Sequence, residues 1–147
     1  MAVTVKLYNH AAALLASLDL GNLRFMLLND DASFDATHTT LAGPAGAANV
    51  NEVEGNGWTT GGEFLANVAW AQVSTNDSIL DCDDIDVIAD GGVIGPAYAA
   101  VIYDDSHPNK APIQFIDFGE AVSAGDTTQF KYVFPPNGVV RLDYTLP

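Results

Sequence analysis

With 147 residues, 48% of them hydrophobic, the chain is one domain of ordinary size with enough core-forming residues to exclude a disordered or fibrous protein. Five basic residues (Lys6, Arg24, Lys110, Lys131 and Arg141) face nineteen acidic ones, and the net charge of −14 repels phosphate backbones, so no nucleic-acid partner is expected. The same charge favours solubility and discourages indiscriminate self-association.

Cys82 is the single cysteine, which excludes an intrachain disulfide and a thiolate metal cluster. It is flanked by carboxylates in Leu80-Asp-Cys-Asp-Asp84, which disfavours a reactive thiolate, and it reads as a small strand residue. The N-terminal Met-Ala-Val-Thr-Val-Lys lacks a charged segment followed by an apolar one, so no secretion signal is expected. No apolar run reaches the length of a membrane-spanning helix, and no membrane partner is expected.

Along the chain, Val3 to Tyr8 alternates apolar and polar residues and suits a first strand. Asn9 is expected to cap a short helix over His10 to Leu18, with Ala11, Leu14, Leu15 and Leu18 on one face. Leu23 to Leu28 is apolar except for Arg24 and ends at Asn29-Asp30-Asp31, which describes a buried strand. In Phe34 to Leu41, Asp35 is placed to cap a single helical turn. Gly43 to Gly62 is dense in Gly, Ala, Asn and Thr and reads as a long surface loop with at most short extended pieces.

From Phe64 onward the signal is almost continuously β. Candidate strands are Phe64–Val73, Ser78–Cys82, Asp84–Ala89, Tyr98–Tyr103, Pro112–Phe118, Gln129–Phe134 and Val139–Thr145. Turn chemistry separates them at Asp90-Gly-Gly92, Ser106-His-Pro-Asn109, Ala124-Gly-Asp126 and Pro135-Pro-Asn-Gly138. Many short strands without a βαβ rhythm predict a mainly β protein: an antiparallel β-sandwich, jelly-roll-like, with one short N-terminal helix. It is read as a single domain over residues 1–147, with the Gly-rich loop at 43–62 inside it. In Ile113–Phe118 both alternating faces carry apolar side chains, so that strand is expected to be covered on both sides, with a neighbouring subunit as one way to cover it.

Chemical motifs are sparse. Gly55-Asn-Gly-Trp-Thr-Thr-Gly-Gly-Glu-Phe-Leu65 and Gly95-Pro-Ala-Tyr-Ala-Ala-Val-Ile-Tyr-Asp-Asp105 each join a glycine turn to β-formers, and neither assembles a nucleophile, base and orienting group. The first lacks the third small residue, the preceding strand and the following helix of a dinucleotide fingerprint, so no cofactor is expected. His10, His38 and His107 lack metal-ligand spacing. Asp81, Asp83, Asp84 and Asp86, with Asp104 and Asp105, offer oxygen ligands for calcium without any EF-hand spacing, and a solvated acidic edge that blocks aggregation is preferred. No metal site or catalytic residue is assigned, and no enzyme is expected. Trp58, Trp70, Tyr98 and Tyr103 suit a sugar platform, although core packing or a subunit interface accounts for them as well.

Several segments carry a resemblance when taken together and in order. They are Val5-Lys-Leu-Tyr-Asn-His10, Phe25-Met-Leu-Leu-Asn29 with Phe34-Asp-Ala-Thr-His-Thr-Thr40, Gly55-Asn-Gly-Trp-Thr-Thr-Gly-Gly62 with Leu65-Ala-Asn-Val68, Ile94-Gly-Pro-Ala-Tyr-Ala-Ala-Val-Ile-Tyr103, and Phe115-Ile-Asp-Phe-Gly119. This set resembles a family of small virion proteins encoded by tailed bacteriophages. The resemblance spans the chain from first strand to last, through glycine, aromatic and strand positions that are specific only as a set. It implies a virion component made in the host cytoplasm and offers no catalytic residues. Capsid decoration (cement) is the role that fits best, with the major capsid protein as partner, a homotrimer as assembly and the capsid exterior as location. Other virion placements (tail, neck or fibre) and a glycan-binding host-attachment module stand as alternatives. The expected gripping elements are the N-terminal strand and the Gly-rich loop, through Val3, Val5, Leu7, Tyr8, Trp58, Thr59, Thr60 and Phe64, with Trp58 exposed.

Overall fold

The computed structural model describes residues 3–144. The chain is mainly β, and every strand pairing is antiparallel. In order, the strands are β1 (Thr4–Leu7), β2 (Leu23–Leu28), β3 (Glu52–Val53), β4 (Glu63–Phe64), β5 (Ala69–Ser74), β6 (Asp77–Asp81), β7 (Ile85–Ile88), β8 (Ile94–Asp104), β9 (Pro112–Ala124), β10 (Gln129–Tyr132) and β11 (Val140–Asp143). Two four-residue helices interrupt them, α1 (Ala11–Leu14) and α2 (Ala42–Ala45). Six strands form the main sheet in the order β1-β9-β8-β2-β3, with β4 also on β2; β10-β7 and β11-β6-β5 form two smaller sheets. Among the described residues no sheet closes into a barrel.

Alternation along the main sheet divides the apolar side chains between two clusters. Leu23, Phe25 and Leu27 of β2, Ala100 and Ile102 of β8, and Ile116 and Phe118 of β9 pack with Leu80, Ile85, Phe130, Phe134 and Val140 from the smaller sheets and their connections. Met26, Leu28, Ala99, Val101, Tyr103 and Phe115 point the other way, onto Tyr8, Leu41 and Ala45, with Ala32 and Phe34 at the margin. The apolar side chains of Ile113–Phe118 in β9 are thus covered on both sides, as expected, by this chain's own segments. Each fully buried Leu, Ile or Phe contributes about 1.5–3 kcal/mol, which makes these clusters the main stabilising term.

Local expectations failed where a single residue redirects the chain. The segment read as one strand, Phe64–Val73, is two: β4 ends at Phe64, and β5 starts at Ala69 in another sheet. Between them the buried Leu65 N–H bonds Leu23 O at 2.9 Å, and Asn67 adopts φ +54, a left-handed turn that Asn tolerates. The N-terminal helix is only α1 followed by a 3-10 turn at Leu15–Ser17; its N-cap is His10, not Asn9, and no side chain caps it. Asp35 caps no helix: its Oδ1 accepts from Thr37 N at 2.9 Å and Thr37 Oγ1 at 2.7 Å, a local turn. Gly43–Gly62 is more ordered than a surface loop, since it holds α2, a 3-10 turn at Ala47–Asn49 and β3. Of the last predicted strand, Thr145 lies outside the described residues.

Candidate interaction surface

Strand β1 is the edge of the main sheet, and all four of its residues are exposed. It pairs with β9 in the register Val5↔Ile116 and Leu7↔Gln114. Val5 therefore projects to the same side as buried Ile116, but beyond the margin of the core. Val3, Val5 and Leu7 remain 51%, 42% and 45% exposed. Val3 and Val5 border an open depression of about 330 Å³ with Tyr132, Val133 and Pro135. Among the described residues, the result is a strand with one free edge beside an apolar shelf, the arrangement into which an extended segment of another chain can add as a further strand.

The other expected contact residues are not part of this surface. Tyr8 is buried, with its ring 5.0 Å from that of Phe34, and burial followed by the charge of Asp35 pushes its phenol far above the ordinary range. Trp58 is also buried rather than exposed. Its ring packs 5.3 Å from Phe130 and 6.2 Å from Phe25. The cause is a tight turn: Gly55 and Trp58 exchange backbone hydrogen bonds of 3.0 and 3.1 Å across Asn56 and Gly57, both at positive φ, and the reversal tucks the indole inward.

Thr59, Thr60 and Phe64 are exposed but lie across the sheet, beyond β9, β8 and β2 from β1. Thr60 and Phe64 belong to a clip around Arg24, and Thr59 O accepts from Gly62 N beside it. Arg24 Nε and Nη2 donate to Gly62 O at 3.0 and 2.7 Å, Nη2 donates to Thr60 O at 2.8 Å, and Nη1 meets Asp105 at 3.4 Å. The guanidinium lies 4.5 Å over the Phe64 ring. Tyr103 OH donates to Gly61 O at 2.6 Å, and Gly61 N donates to Glu52. The eight expected residues thus separate into an edge set (Val3, Val5, Leu7), a clipped set (Thr59, Thr60, Phe64) and two core residues. Tyr132, Val133 and Pro135 were missed. Val133 and Phe134 are adjacent and both apolar, so alternation alone does not say which one faces outward.

The acidic segment does not converge on a cation. Asp81 caps Cys82 N, Asp83 accepts from Asn67, Asp84 accepts from Phe134 N, and Asp105 pairs with Lys110. Among the described residues no three His, Cys, Asp or Glu side chains gather in a metal-holding group. His10 Nε2 donates to Pro112 O at 2.6 Å, and His107 Nδ1 accepts from Asn109 N at 3.1 Å. Of the aromatics suited to a sugar platform, Trp58 and Tyr103 are core residues, while Trp70 and Tyr98 are half-buried on different sheets. Comparison with protein-family models, with curated proteins and with solved structures finds no match.

Proposed function

We propose that this chain is a structural protein of a tailed-phage virion, a decoration (cement) protein that binds the assembled coat lattice from the capsid exterior. The observation that carries the reading is the free β1 edge with Val3, Val5 and Leu7 beside Tyr132, Val133 and Pro135. The ordered set of family-like segments supports the virion setting. In this reading the antiparallel sheets form a jelly-roll-like β-sandwich, and the working unit is a homotrimer. The mechanism is mechanical: an extended segment of the major capsid protein adds to β1, and its alternate side chains fill the shelf. Because the bound form exists only on the assembled shell, binding stabilises the shell by mass action. Interfaces of this kind bury on the order of 1,200–2,000 Å².

Two measurements test the reading. Light scattering on a sizing column is expected to give the mass of three 15.5 kDa chains. Co-sedimentation with heads of the phage that carries the gene is expected to retain the protein, and Val5→Lys is expected to release it without lowering its melting temperature. Retention by tails and not heads, or equal retention of Val5→Lys, overturns the assignment to the capsid through β1.

A further inference from the structure

Strand β5 ends the three-stranded sheet β11-β6-β5, so among the described residues one of its edges is unpaired. Five of its six residues, Ala69, Ala71, Gln72, Val73 and Ser74, are exposed. Each of the other strands contains at least one Asp, Glu, Lys or Arg, and β5 contains none. Charged side chains are the ordinary guard of a sheet edge: β1 carries Lys6, and β11, the opposite edge of the same small sheet, carries Arg141 and Asp143. On β5 the guard is reduced to one irregularity, where the pairing with β6 shifts between Gln72 and Ser74.

The unguarded edge borders an apolar surface. The registers Trp70↔Leu80 and Leu142↔Ser78 place Trp70 of β5 and Leu142 of β11 on one face of the sheet. These two side chains line an open depression of about 340 Å³ with Ala12, Leu15 and Ala16, from α1 and the 3-10 turn after it. No lining residue is charged. Leu142 and Val73 remain 45% and 51% exposed.

The charge balance points to what covers this surface. Two molecules of net charge −14 repel one another, and the repulsion is felt within a Debye length of about 8 Å, so they can touch closely only where neither brings a carboxylate. A basic partner would instead be met by carboxylates, of which the chain has nineteen acidic residues to offer. A charge-free edge and depression in so acidic a molecule match a partner of the same sign. We infer that copies of this chain meet one another through the β5 edge and the depression beside it. Contact removes the apolar surface from water and gives the free N–H and C=O groups of β5 partners across the interface. The inference rests on the homotrimer of the proposed function for the number of copies alone, since coat binding uses β1, the edge of a different sheet.

Sedimentation equilibrium of the full chain over micromolar concentrations tests it. The parent is expected to sediment as three 15.5 kDa chains, and the double variant Gln72→Glu, Val73→Glu to associate at least about tenfold more weakly, because like charges are brought together. Val50→Glu, which adds a charge at a residue 70% exposed before β3, and Val5→Lys are expected to leave the mass unchanged. Unaltered melting temperatures establish that the variants fold. Amide hydrogen exchange in β5 of the parent is expected to slow as concentration rises. A two-chain mass lost in the double variant keeps the surface and corrects the number of copies. A parent that stays a single chain throughout, or an assembly that the double variant retains in full, overturns the inference, while co-sedimentation of the parent with heads judges the coat-binding reading separately.

Discussion

Gly62 shows how one missing side chain sets the course of a loop. It sits at φ +96, and a Cβ there would lie 2.4 Å from Phe25 O, a backbone atom of the central strand β2. Gly62→Ala is expected to cost about 3 kcal/mol from strain and displacement, lowering the melting temperature by about 6–12 °C. Cys82 makes a second residue-scale prediction. Burial, then the charges of Asp81, Asp83 and Asp84, push its thiol from the ordinary 9.0 up to about 12. Because the neutral thiol is the favoured form, its contribution to stability is present below pH 9 and lost as pH rises towards 12. A disulfide-exchange reagent at pH about 8 is therefore expected to label the folded protein at least tenfold more slowly than the protein in urea.

At the scale of elements, Arg24 holds a loop that its own strand does not contain. The guanidinium takes both Thr60 O and Gly62 O, so Arg24→Lys, which keeps the charge but loses the fork, is expected to cost about 2 kcal/mol. Limited proteolysis within Gly55–Gly62 is expected to accelerate in the same variant. A second clip joins β6 to β11, where Arg141 Nε donates to Asp77 Oδ1 at 2.9 Å and a further bond forms through Nη2. The Arg141 bonds hold the Asp77 carboxyl below its ordinary 3.8. The stability this gives is fully present above pH 3.8 and lost as pH falls through the lower folded value. Arg141→Gln is expected to melt below the parent at neutral pH, with the gap narrowing in thermal melts as pH falls below 3.8.

These elements also mark how far the sequence was legible. Leu23–Leu28 was read with its observed bounds, because an apolar run ending at Asn29-Asp30-Asp31 leaves one solution. The break at Asn67 was hidden, because β-formers continue on both sides and only the long-range bond from Leu65 to Leu23 reveals the change of sheet. Arg24 was visible as a lone charge, but its loop partners lie 36 to 38 residues away along the chain and Asp105 lies 81 away. The strand that carries Val5 was legible from the alternation of Val3 to Tyr8. The shelf was not, because Val3 and Val5 meet Tyr132, Val133 and Pro135, from a distant second segment, only in the folded chain.

Across the whole molecule, the main sheet is covered on both faces and open at β1. A single pair of neighbours measures that contrast. Ile116 and Val5 pair across the strands, one wholly buried and the other largely outside. Ile116→Ala is expected to cost about 2–5 kcal/mol in urea unfolding, and Val5→Lys no more than about 0.5 kcal/mol. Equal costs would mean that β1 is part of the core rather than an open edge.

The same pairing has a consequence during synthesis. Thr4 finds its partner at Asp117, and β2 lies against β8, so the central sheet cannot assemble from the first half of the chain. A ribosome that has made residues 1–100 carries β1 with no strand to receive it, and a polypeptide released by premature termination there retains an unpaired apolar ribbon. Emergence of β9, rather than of the N-terminus, is the event that permits the central sheet to form.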